Sequence, residues 1–404
     1  MTPPSYPMPR TEPLNVPPGL AEVAARGPVS RVQLWDGGEA WLVTGWQEAR
    51  AVLADNRFSA ALRHPGYPHV RPGFRGTRVA SAAAPGAGGP TLLRMDPPEH
   101  DVLRRMLTGF FTVRRTAAMR PAIEAWTDEC LDAMQAKGPP ADIIETLATP
   151  LPSLVLCELL GIPVAERAYF EQLAAGYMAY GATQRQVIGV LRRMTDYLDD
   201  LVTRKESDPG DDIIGSLIRD YASAGLLSRT DLLGMVRLLL VAGHETTANM
   251  LGLSLAALLA DRDAWDGLCA DPGAIAAAVE ELLRFHTIAQ TGLCRVAVED
   301  IEVGGELIHA GEGVIVSVEA ANRDPGAFAD PDVMSLHRGA RHHLSFSFGI
   351  HQCLGQALAR LELEVALART MRRYPSLRVA DGAGQVAFGH DRMIYGVHRL
   401  EVAW

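Results

Sequence analysis

The chain has 404 residues, 48% of them hydrophobic and 21% charged, enough to bury a large core in one large domain or two ordinary ones. A formal net charge of -10 and the lack of any lysine/arginine run argue against nucleic-acid binding. The five cysteines are scattered and form no CxxC pair, which argues against a disulfide framework or zinc ribbon and favours a reducing cytoplasm.

The first 20 residues are rich in proline and polar side chains, and they lack the apolar core of a signal peptide. We therefore expect an extended arm on the surface over residues 1–20. The longest uncharged stretches, such as Thr246–Ala260, reach about 15 residues, whereas a membrane span needs roughly 20 apolar ones. The sequence predicts a cytoplasmic protein that does not bind membranes, and a monomer is the default expectation.

Short strands, a helix and a long irregular segment are predicted next. Residues 31–45 predict two strands around the Asp-Gly-Gly at 36–38, which is a hairpin signal. A helix follows within residues 46–59. From Ala60 to Leu93 the sequence has no period, and a loop this long is usually a functional lid or disordered.

Helical patterns dominate from Asp96 to about residue 290, and the longest predicted helix runs from Thr230 to near Trp265. Breaks are expected at the proline- and glycine-rich points 138–140, 150–152 and 206–212. From Arg295 the pattern changes to short strands, and the C-terminal segment alternates in the same way. The predicted fold class is mainly α with a minor β part, in one domain over residues 1–404.

The stretch FSFGIHQCLGQALARLELEV places a lone thiol, Cys353, between a glycine-rich turn and an amphipathic helix. The positive end of a helix dipole favours a thiolate, and N–H groups of a tight turn can tune the sulfur. With no second cysteine nearby, such a thiolate suits a single axial ligand of haem iron better than a redox or zinc site. The alternative is a buried structural cysteine, the commonest fate of a free thiol.

Phe346, Gly349, Cys353 and Gly355 form the pattern F-x-x-G-x-x-x-C-x-G, which resembles the haem-binding signature of the cytochrome P450 family. One departure is Ser347, where many bacterial members carry glycine. The resemblance implies a single-domain prism of helices around a buried haem b, with Cys353 as the iron ligand and Gly355 in the cofactor-binding turn. The chain looks most like the actinobacterial branch, whose members tailor antibiotics or hydroxylate xenobiotics.

The longest predicted helix contains AGHETT at residues 242–247. A threonine hydroxyl can bond its own helix carbonyls, and Gly243 weakens the helix at the same place, so a polar, kinked break facing water or a ligand is expected. A solvated bend is the alternative, and an HExxH zinc motif is excluded because Ala248 replaces the second histidine. The segment resembles the family's acid–alcohol pair, which implies that Thr246 hydrogen-bonds to bound oxygen while Glu245 relays protons.

Glu281 and Arg284 lie three residues apart on one predicted helix face, close enough to pair. Taken alone this spacing is weak, because a surface ion pair is the default. The resemblance implies that both residues, together with Arg338, lock the scaffold on the haem side. Their predicted role is structural and not chemical.

Haem carries two propionates, and four cations stand where the family binds them. His100 and Arg104 are one helical turn apart on the same face. Arg295 opens a predicted strand, and His351 lies beside the cysteine turn. Each alone would more often be a surface charge, but the resemblance implies that together they bind the propionates.

The resemblance implies a monooxygenase that uses O2 and external electrons to oxidise a bulky, mainly apolar small molecule in secondary metabolism. Alternatives are oxidative bond formation (C–S, C–C or ring closure), peroxide-driven oxidation, and a non-catalytic haem or ligand carrier. The acid–alcohol pair favours the oxygen-dependent reaction. Core packing is the alternative for every apolar residue that we predict to line the substrate site. These residues are Leu92, Leu93, Leu239, Ala242, Ile288, Ala289, Met393 and Ile394.

The chain has no flavin or nicotinamide fingerprint and no cluster of iron–sulfur cysteines, so electrons must come from another protein. By analogy with the family, we predict an acidic ferredoxin and an NAD(P)H-dependent ferredoxin reductase. Ordinary surface arginines are the alternative to a basic docking face on the Cys353 side. The arginines of this predicted docking face are Arg105, Arg114, Arg115, Arg341 and Arg360.

Overall fold

The computed structural model describes residues 3–70, 91–179, 181–381 and 386–404, and these residues are mainly helical with small sheets, as predicted. The α-helices of these segments, numbered in chain order, are α1 (Pro18–Ala24), α2 (Trp46–Ala54), α3 (Glu99–Thr108), α4 (Val113–Ala118), α5 (Arg120–Lys137), α6 (Pro150–Leu160), α7 (Arg167–Met178), α8 (Gln184–Ser207), α9 (Ile213–Leu217), α10 (Arg229–Ala260), α11 (Arg262–Ala270), α12 (Ile275–Phe285), α13 (Val318–Ala321) and α14 (Gln356–Arg373). Within the described part of the chain, no helix is both long and apolar enough to cross a membrane.

In the part of the chain that the structure describes, the strands are short and form four small sheets. A five-stranded sheet has the order β1-β2-β8-β5-β3, a three-stranded sheet has the order β4-β12-β9, and two hairpins pair β6 with β7 and β10 with β11. The strands are β1 (Val29–Gln33), β2 (Glu39–Val43), β3 (Phe58–Ser59), β4 (Ala141–Asp142), β5 (Leu293–Ala297), β6 (Ile301–Val303), β7 (Glu306–Ile308), β8 (Gly313–Val316), β9 (Arg378–Val379), β10 (Ala387–Phe388), β11 (Val397–Arg399) and β12 (Glu401–Ala403).

The predicted hairpin at residues 31–45 is present as β1 and β2, which are antiparallel with Val29 opposite Val43. Gly37 in its turn has a φ of 81°, a conformation that glycine adopts without steric cost. In the same sheet β2 and β8 run parallel, and β8 pairs antiparallel with β5.

Helix α10 crosses the body of the protein, but its ends differ from the prediction. It begins earlier because the Ser228 hydroxyl accepts a hydrogen bond from the Asp231 N–H at 3.0 Å and caps the helix. It ends at Ala260, before Trp265, because Asp261 caps the next helix, α11. The predicted break at 242–247 is wrong: residues 229–260 form one continuous helix, in which the Thr246 hydroxyl donates to the Ala242 carbonyl at 2.6 Å.

Two hydrophobic cores meet along α10. Its N-terminal half, from Leu232 to Val241, packs with α6, α7, α8 and α9, and its C-terminal half, from Met250 to Leu258, packs with α5, α12 and α14. Between the two halves the buried side chains are polar: His244, Glu245, Thr247 and Asn249. The middle of α10 is therefore the place where polar groups enter an otherwise apolar interior.

The remaining predictions of local structure have mixed outcomes. Helix α5 ends at Lys137, before the glycine and prolines at 138–140, as expected. Pro150 instead begins α6, because a proline at the first turn lacks only an N–H that would have no helical partner. Residues 71–90 of the predicted irregular loop lie outside the described residues. In the N-terminal arm the Tyr6 side chain is buried in a core cluster, and Arg10 pairs with the buried Glu319.

Candidate functional site

Cys353 lies in a turn between a short 3-10 helix, Gly349–His351, and α14. Its N–H donates to the Phe346 carbonyl at 2.8 Å, which fixes the turn. Gly349 has a φ of 70°, and a side chain there would overlap the Leu53 carbonyl, so the turn requires glycine. Because α14 begins only at Gln356, the cysteine precedes the first helical turn and does not lie within it.

The thiol of Cys353 is the candidate metal ligand. The residue is exposed to solvent although protein atoms surround it closely. Burial raises the pKa of this thiol, while the Gly355 N–H and the charges of Arg104 and Arg360 lower it. A metal that binds here must displace the proton, and the surrounding donors assist that loss. The other four cysteines are buried or half-buried and form no disulfide.

The four predicted propionate-binding residues lie together and form, with a fifth residue, what we call the cation cluster. The rings of His100 and His351 are 4.5 Å apart between centroids. Burial lowers the pKa of His351 to about 3, and the charges of Arg295, His100, Arg104 and Arg94 lower it further. Arg94 is the fifth member.

The cation cluster has few negative partners. Within the described segments, Arg94, Arg104 and Arg295 form no salt bridge, and the carboxylate of Asp101 contacts only His100, at 2.9 Å. Buried like charges are costly unless an anion compensates them. A group with two carboxylates and a metal that accepts one thiolate therefore fits this site, and haem has both features.

Glu281, Arg284 and Arg338 also lie together, and we call them the scaffold cluster. Arg284 donates to both Glu281 oxygens at 2.8 Å, and Arg338 Nε donates to Oε1 of the same carboxylate at 3.1 Å. Burial alone would raise the pKa of Glu281, but hydrogen bonds from Arg284 and the Ser335 N–H lower it overall. The remaining Arg284 donors bond main-chain carbonyls, including that of Asn322 at 2.8 Å.

The predicted acid–alcohol pair occupies the polar middle of α10. Glu245 is only 3% exposed, and its Oε2 accepts hydrogen bonds from Asn249 Nδ2 at 3.1 Å and from Arg392 Nη1 at 3.5 Å. Thr246 is half-buried, and it follows Ala242, an exposed residue, by one helical turn. One side of α10 thus presents a carboxylate and a hydroxyl next to a small side chain.

Four of the predicted substrate residues surround one apolar cluster. Leu92 belongs to the core that contains the N-terminal half of α10, and Leu239, Met393 and Ile394 are half-buried against it. Leu93 is 45% exposed and does not join this cluster.

The other predicted substrate residues are placed less uniformly. Ala242 continues the face of Leu239 along α10. Ile288 packs against the second core, but its carbonyl accepts from the Tyr395 N–H at 2.8 Å, which brings it close to Ile394. Ala289 is half-buried beside it.

Of the five predicted docking arginines, Arg360 is the exception. Arg105, Arg114, Arg115 and Arg341 are exposed. Arg360 Nε instead donates to the buried Glu280 at 2.6 Å. A cavity of about 530 Å³ on this face is lined by apolar and charged side chains. They include Phe111, Val113, Arg120, Arg341, Leu354 and Leu361.

Sequence reasoning missed two arginines of the site, Arg94 and Arg392. Arg94 follows the irregular loop and donates to the Tyr67 hydroxyl. Arg392 lies in the C-terminal segment, 147 residues from its partner Glu245. Neither arginine belongs to a periodic pattern or a motif, so only their spatial neighbours reveal them.

Comparisons with known proteins agree with this arrangement. A family model described as Cytochrome P450 matches residues 275–382. Pentalenic acid synthase of Streptomyces avermitilis is 44% identical over 402 residues, which cover 100% of this chain and 98% of that protein. A 20-oxo-5-O-mycaminosyltylactone 23-monooxygenase of Streptomyces fradiae is 39% identical over 402 residues, with coverages of 99% and 92%. The crystal structure of cytochrome P450 MoxA from Nonomuraea recticatena superposes with a TM-score of 0.90 at 44% identity and covers 99% of this chain and 98% of that one.

Proposed function

The chain belongs to the cytochrome P450 family, in its actinobacterial branch, and is a haem-dependent monooxygenase; we propose that its cofactor is haem b and that Cys353 is the iron ligand. The observation that carries this proposal is the juxtaposition of one accessible thiol with the cation cluster, whose arginines form no salt bridge within the described residues. We propose one haem domain over residues 1–404. The residues that would hold the propionates are His100, Arg104, Arg295, His351 and Arg94.

Haem, when bound, supplies an iron whose thiolate ligand favours O–O cleavage. The protein's own residues position the reactants and control protons. Cys353 would provide the thiolate. Its main-chain N–H fixes the turn by donating to the Phe346 carbonyl, and the Gly355 N–H would moderate the electron donation of the sulfur.

Glu245 and Thr246, in the middle of α10, are proposed to supply protons to the reaction. Asn249 and Arg392 engage Oε2 of Glu245, so the transferable proton would be carried on Oε1. The Thr246 hydroxyl, which donates to the Ala242 carbonyl in this structure, would turn toward the reacting oxygen. A carboxyl and a hydroxyl in adjacent positions can pass a proton over a short distance.

The substrate is proposed to be a bulky, mainly apolar small molecule of secondary metabolism. Leu92 belongs to one apolar cluster, and Leu239, Met393 and Ile394 pack against it, so these residues offer apolar contacts of the kind that such a molecule needs. The named activities of the Streptomyces relatives support the same substrate class. Oxidative bond formation stays an alternative outcome of the same site.

The iron ligand is tested by Cys353→Ser and Cys353→Ala variants of the full chain. We expect both variants to lose the carbon monoxide difference band of a haem-thiolate protein, while Cys294→Ser, at a buried cysteine, keeps it. An unchanged band in Cys353→Ala would show that another residue holds the metal.

The substrate class is tested by titrating the purified protein with a panel of terpenoid and macrolide compounds. We expect a high-spin shift of the haem band for at least one of them and a weaker shift after Leu239→Trp, which narrows the apolar site. If only small polar compounds shift the band, the proposed substrate class is wrong. Product analysis with the best compound then separates hydroxylation from bond formation.

Electrons are proposed to come from a ferredoxin and its NAD(P)H-dependent reductase, which would dock on the exposed arginines of the Cys353 face. Arg105→Glu with Arg341→Glu should slow reduction by a surrogate ferredoxin at low salt, and the difference should fade as salt rises. Arg360 is unsuited to this test because its pairing with Glu280 makes it structural. An unchanged salt dependence would exclude this docking face. The monomeric state and cytoplasmic location stay predictions.

A further inference from the structure

A charged cavity of about 550 Å³ opens on the surface between the start of α6, α7 and β11. It is separate from the apolar cluster proposed to hold the substrate. Most of its lining side chains are ionisable, so water fills it more readily than an apolar ligand would. The lining residues are Asp142, Ile144, Glu145, Thr149, Pro150, Arg167, Glu171 and His398.

Glu171 forms part of the inner wall of this cavity. Its Oε1 is buried and has no hydrogen-bond partner in the described structure. The Arg167 Nε lies 3.7 Å from this oxygen, within ion-pair range but too far for a hydrogen bond. A buried carboxylate oxygen without a donor is costly, and a cavity water can supply the missing bond.

His244 directly precedes Glu245 in α10, and it lies within electrostatic range of Glu171 and of Thr149, both of which line the cavity. It is 3% exposed, and neither ring nitrogen makes a hydrogen bond of good geometry among the described residues, although the main chain of Thr149, which lines the cavity, lies close enough to interact with the ring. Its ring contacts that of Phe170, the neighbour of Glu171, at 6.3 Å between centroids. Burial lowers the pKa of His244 and keeps the ring neutral, although Glu245 and Glu171 both lie close enough to raise that pKa.

A neutral imidazole at this position can conduct protons without a net change of charge. It takes a proton on one ring nitrogen and releases the proton of the other, after which the ring returns to its first tautomer. The acceptor on the inner side is the Glu245 carboxylate, and the donor on the outer side is Glu171 or a cavity water. No electron moves in this step.

We propose that Glu171 and His244 form a proton route from the charged cavity to Glu245. The inference rests on the proposed role of Glu245 and adds two residues that the acid–alcohol pair does not include. The route gives a function to the buried histidine in the polar middle of α10, whose ring nitrogens make no hydrogen bond of good geometry to the described residues. It also gives the buried Oε1 of Glu171 a function.

Arg392 is the competing connection between Glu245 and the surface. It is 30% exposed and lies 3.5 Å from Glu245 Oε2. A guanidinium does not release its proton in proteins, so Arg392 orients the carboxylate and does not conduct. The neighbouring Asp391 is engaged with His398, which lines the cavity, at 2.5 Å.

The first test measures exchange of histidine ring N–H groups with water in the reduced, carbon monoxide-bound holoenzyme labelled with 15N-histidine. His286 is the internal control, because it is also buried with an unbonded Nε2 but lies near Arg284 and Arg323. We expect His244 to exchange at least about tenfold faster than His286, and Glu171→Gln to slow only His244. Equal exchange rates would overturn the route.

The second test measures oxygen consumption in H2O and D2O with excess surrogate ferredoxin and reductase and no added organic compound. His244→Phe should lower the rate by about a hundredfold and enlarge the solvent isotope effect, whereas His286→Phe should change neither. The rate of haem reduction and the carbon monoxide band should stay as in the parent. If His244→Phe does not fold, the same measurement is made on Glu171→Gln, which should lower the rate of oxygen consumption by a smaller factor and also enlarge the isotope effect.

The outcomes separate this inference from the proposed function. If Glu245→Gln slows oxygen consumption but His244→Phe and Glu171→Gln do not, the acid–alcohol pair stands and the route is wrong. If only Arg392→Gln has the effect, protons arrive along the C-terminal segment and the route is also wrong. If Glu245→Gln does not slow oxygen consumption, the proposed role of Glu245 in proton transfer is wrong, and the route that leads to it is wrong as well.

Discussion

The scaffold cluster and the cation cluster both bury arginines, but only the first contains its own carboxylate. Glu281 and Arg284 are fully buried, and every described donor of that pair has a protein acceptor. Arg295 is almost as deeply buried, and its Nη1 donates a hydrogen bond to the Cys294 carbonyl at 2.9 Å. Arginines that are buried to a similar extent therefore have different roles. In the scaffold cluster the protein supplies the carboxylate itself, whereas the cation cluster fits an anion that comes from a ligand.

The largest expected effect on stability comes from removing the negative charge of Glu281 in the scaffold cluster. Glu281→Gln leaves the Arg284 guanidinium buried without its carboxylate and should lower the free energy of unfolding by about 3 to 5 kcal/mol. Urea unfolding of the haem-free and haem-loaded chains measures it. A loss below 1 kcal/mol in both would show that the main-chain carbonyls suffice for Arg284.

The same kind of change in the cation cluster should act on cofactor retention instead. Arg295→Met removes one buried positive charge, so the haem-free chain should unfold at the same or higher urea concentration. The haem-loaded chain should lose about 1.5 to 3 kcal/mol of haem affinity, the value of a charge-assisted hydrogen bond. Transfer of haem to an excess of apomyoglobin measures the loss. If Arg295→Met destabilises the haem-free chain as much as Glu281→Gln does, the two clusters do not differ in the way proposed.

Stability should depend on pH through His351 in a way that haem alters. The pKa of folded His351 is about 3, below the usual value near 6.5, so the unfolded chain binds the proton first. The folded state therefore suffers no penalty from His351 above about pH 6.5, and it loses stability as the pH falls from there toward 3. His351→Phe should make the unfolding free energy of the haem-free chain less dependent on pH in this window. In the haem-loaded chain, where propionates lie nearby, the variant and the parent should differ less.

His286 provides the matched control for this pH prediction. Burial and the charges of Arg323, Arg10 and Arg284 also lower its pKa to about 3, but it lies beside the scaffold cluster. His286→Phe should flatten the profile equally with and without haem. If haem changes the contributions of both histidines alike, the anion does not act on the cation cluster in particular.

The smallest expected effect belongs to an exposed pair, Arg120 and Glu364, whose nearest atoms are 3.3 Å apart. Arg120→Gln should change the free energy of unfolding by less than about 1 kcal/mol, because water screens exposed charges. Thermal unfolding at low and high salt measures this change. A loss as large as that of Glu281→Gln would mean that burial does not govern how much an arginine–carboxylate pair contributes to the stability of this protein.

The prediction of these clusters from sequence was uneven. Glu281 and Arg284 could be paired because they lie three residues apart on one helix, where spacing fixes distance. Arg360 was predicted to be a docking residue, but it lies against Glu280, 80 residues away, which no local pattern indicates. Arg94 could not be found for the same reason.

The sequence by itself determined the features that depend on a few consecutive residues. These are the turn around Cys353, the acid and alcohol on one helix, the glutamate–arginine pair and the mainly helical class, because helix period and turn chemistry act over one or two turns. The tertiary structure decided which cations share a pocket, that α10 stays unbroken, that Arg392 lies beside Glu245, and that the His244 ring is buried. Those results depend on burial and on contacts between distant segments, and packing of the whole chain sets both.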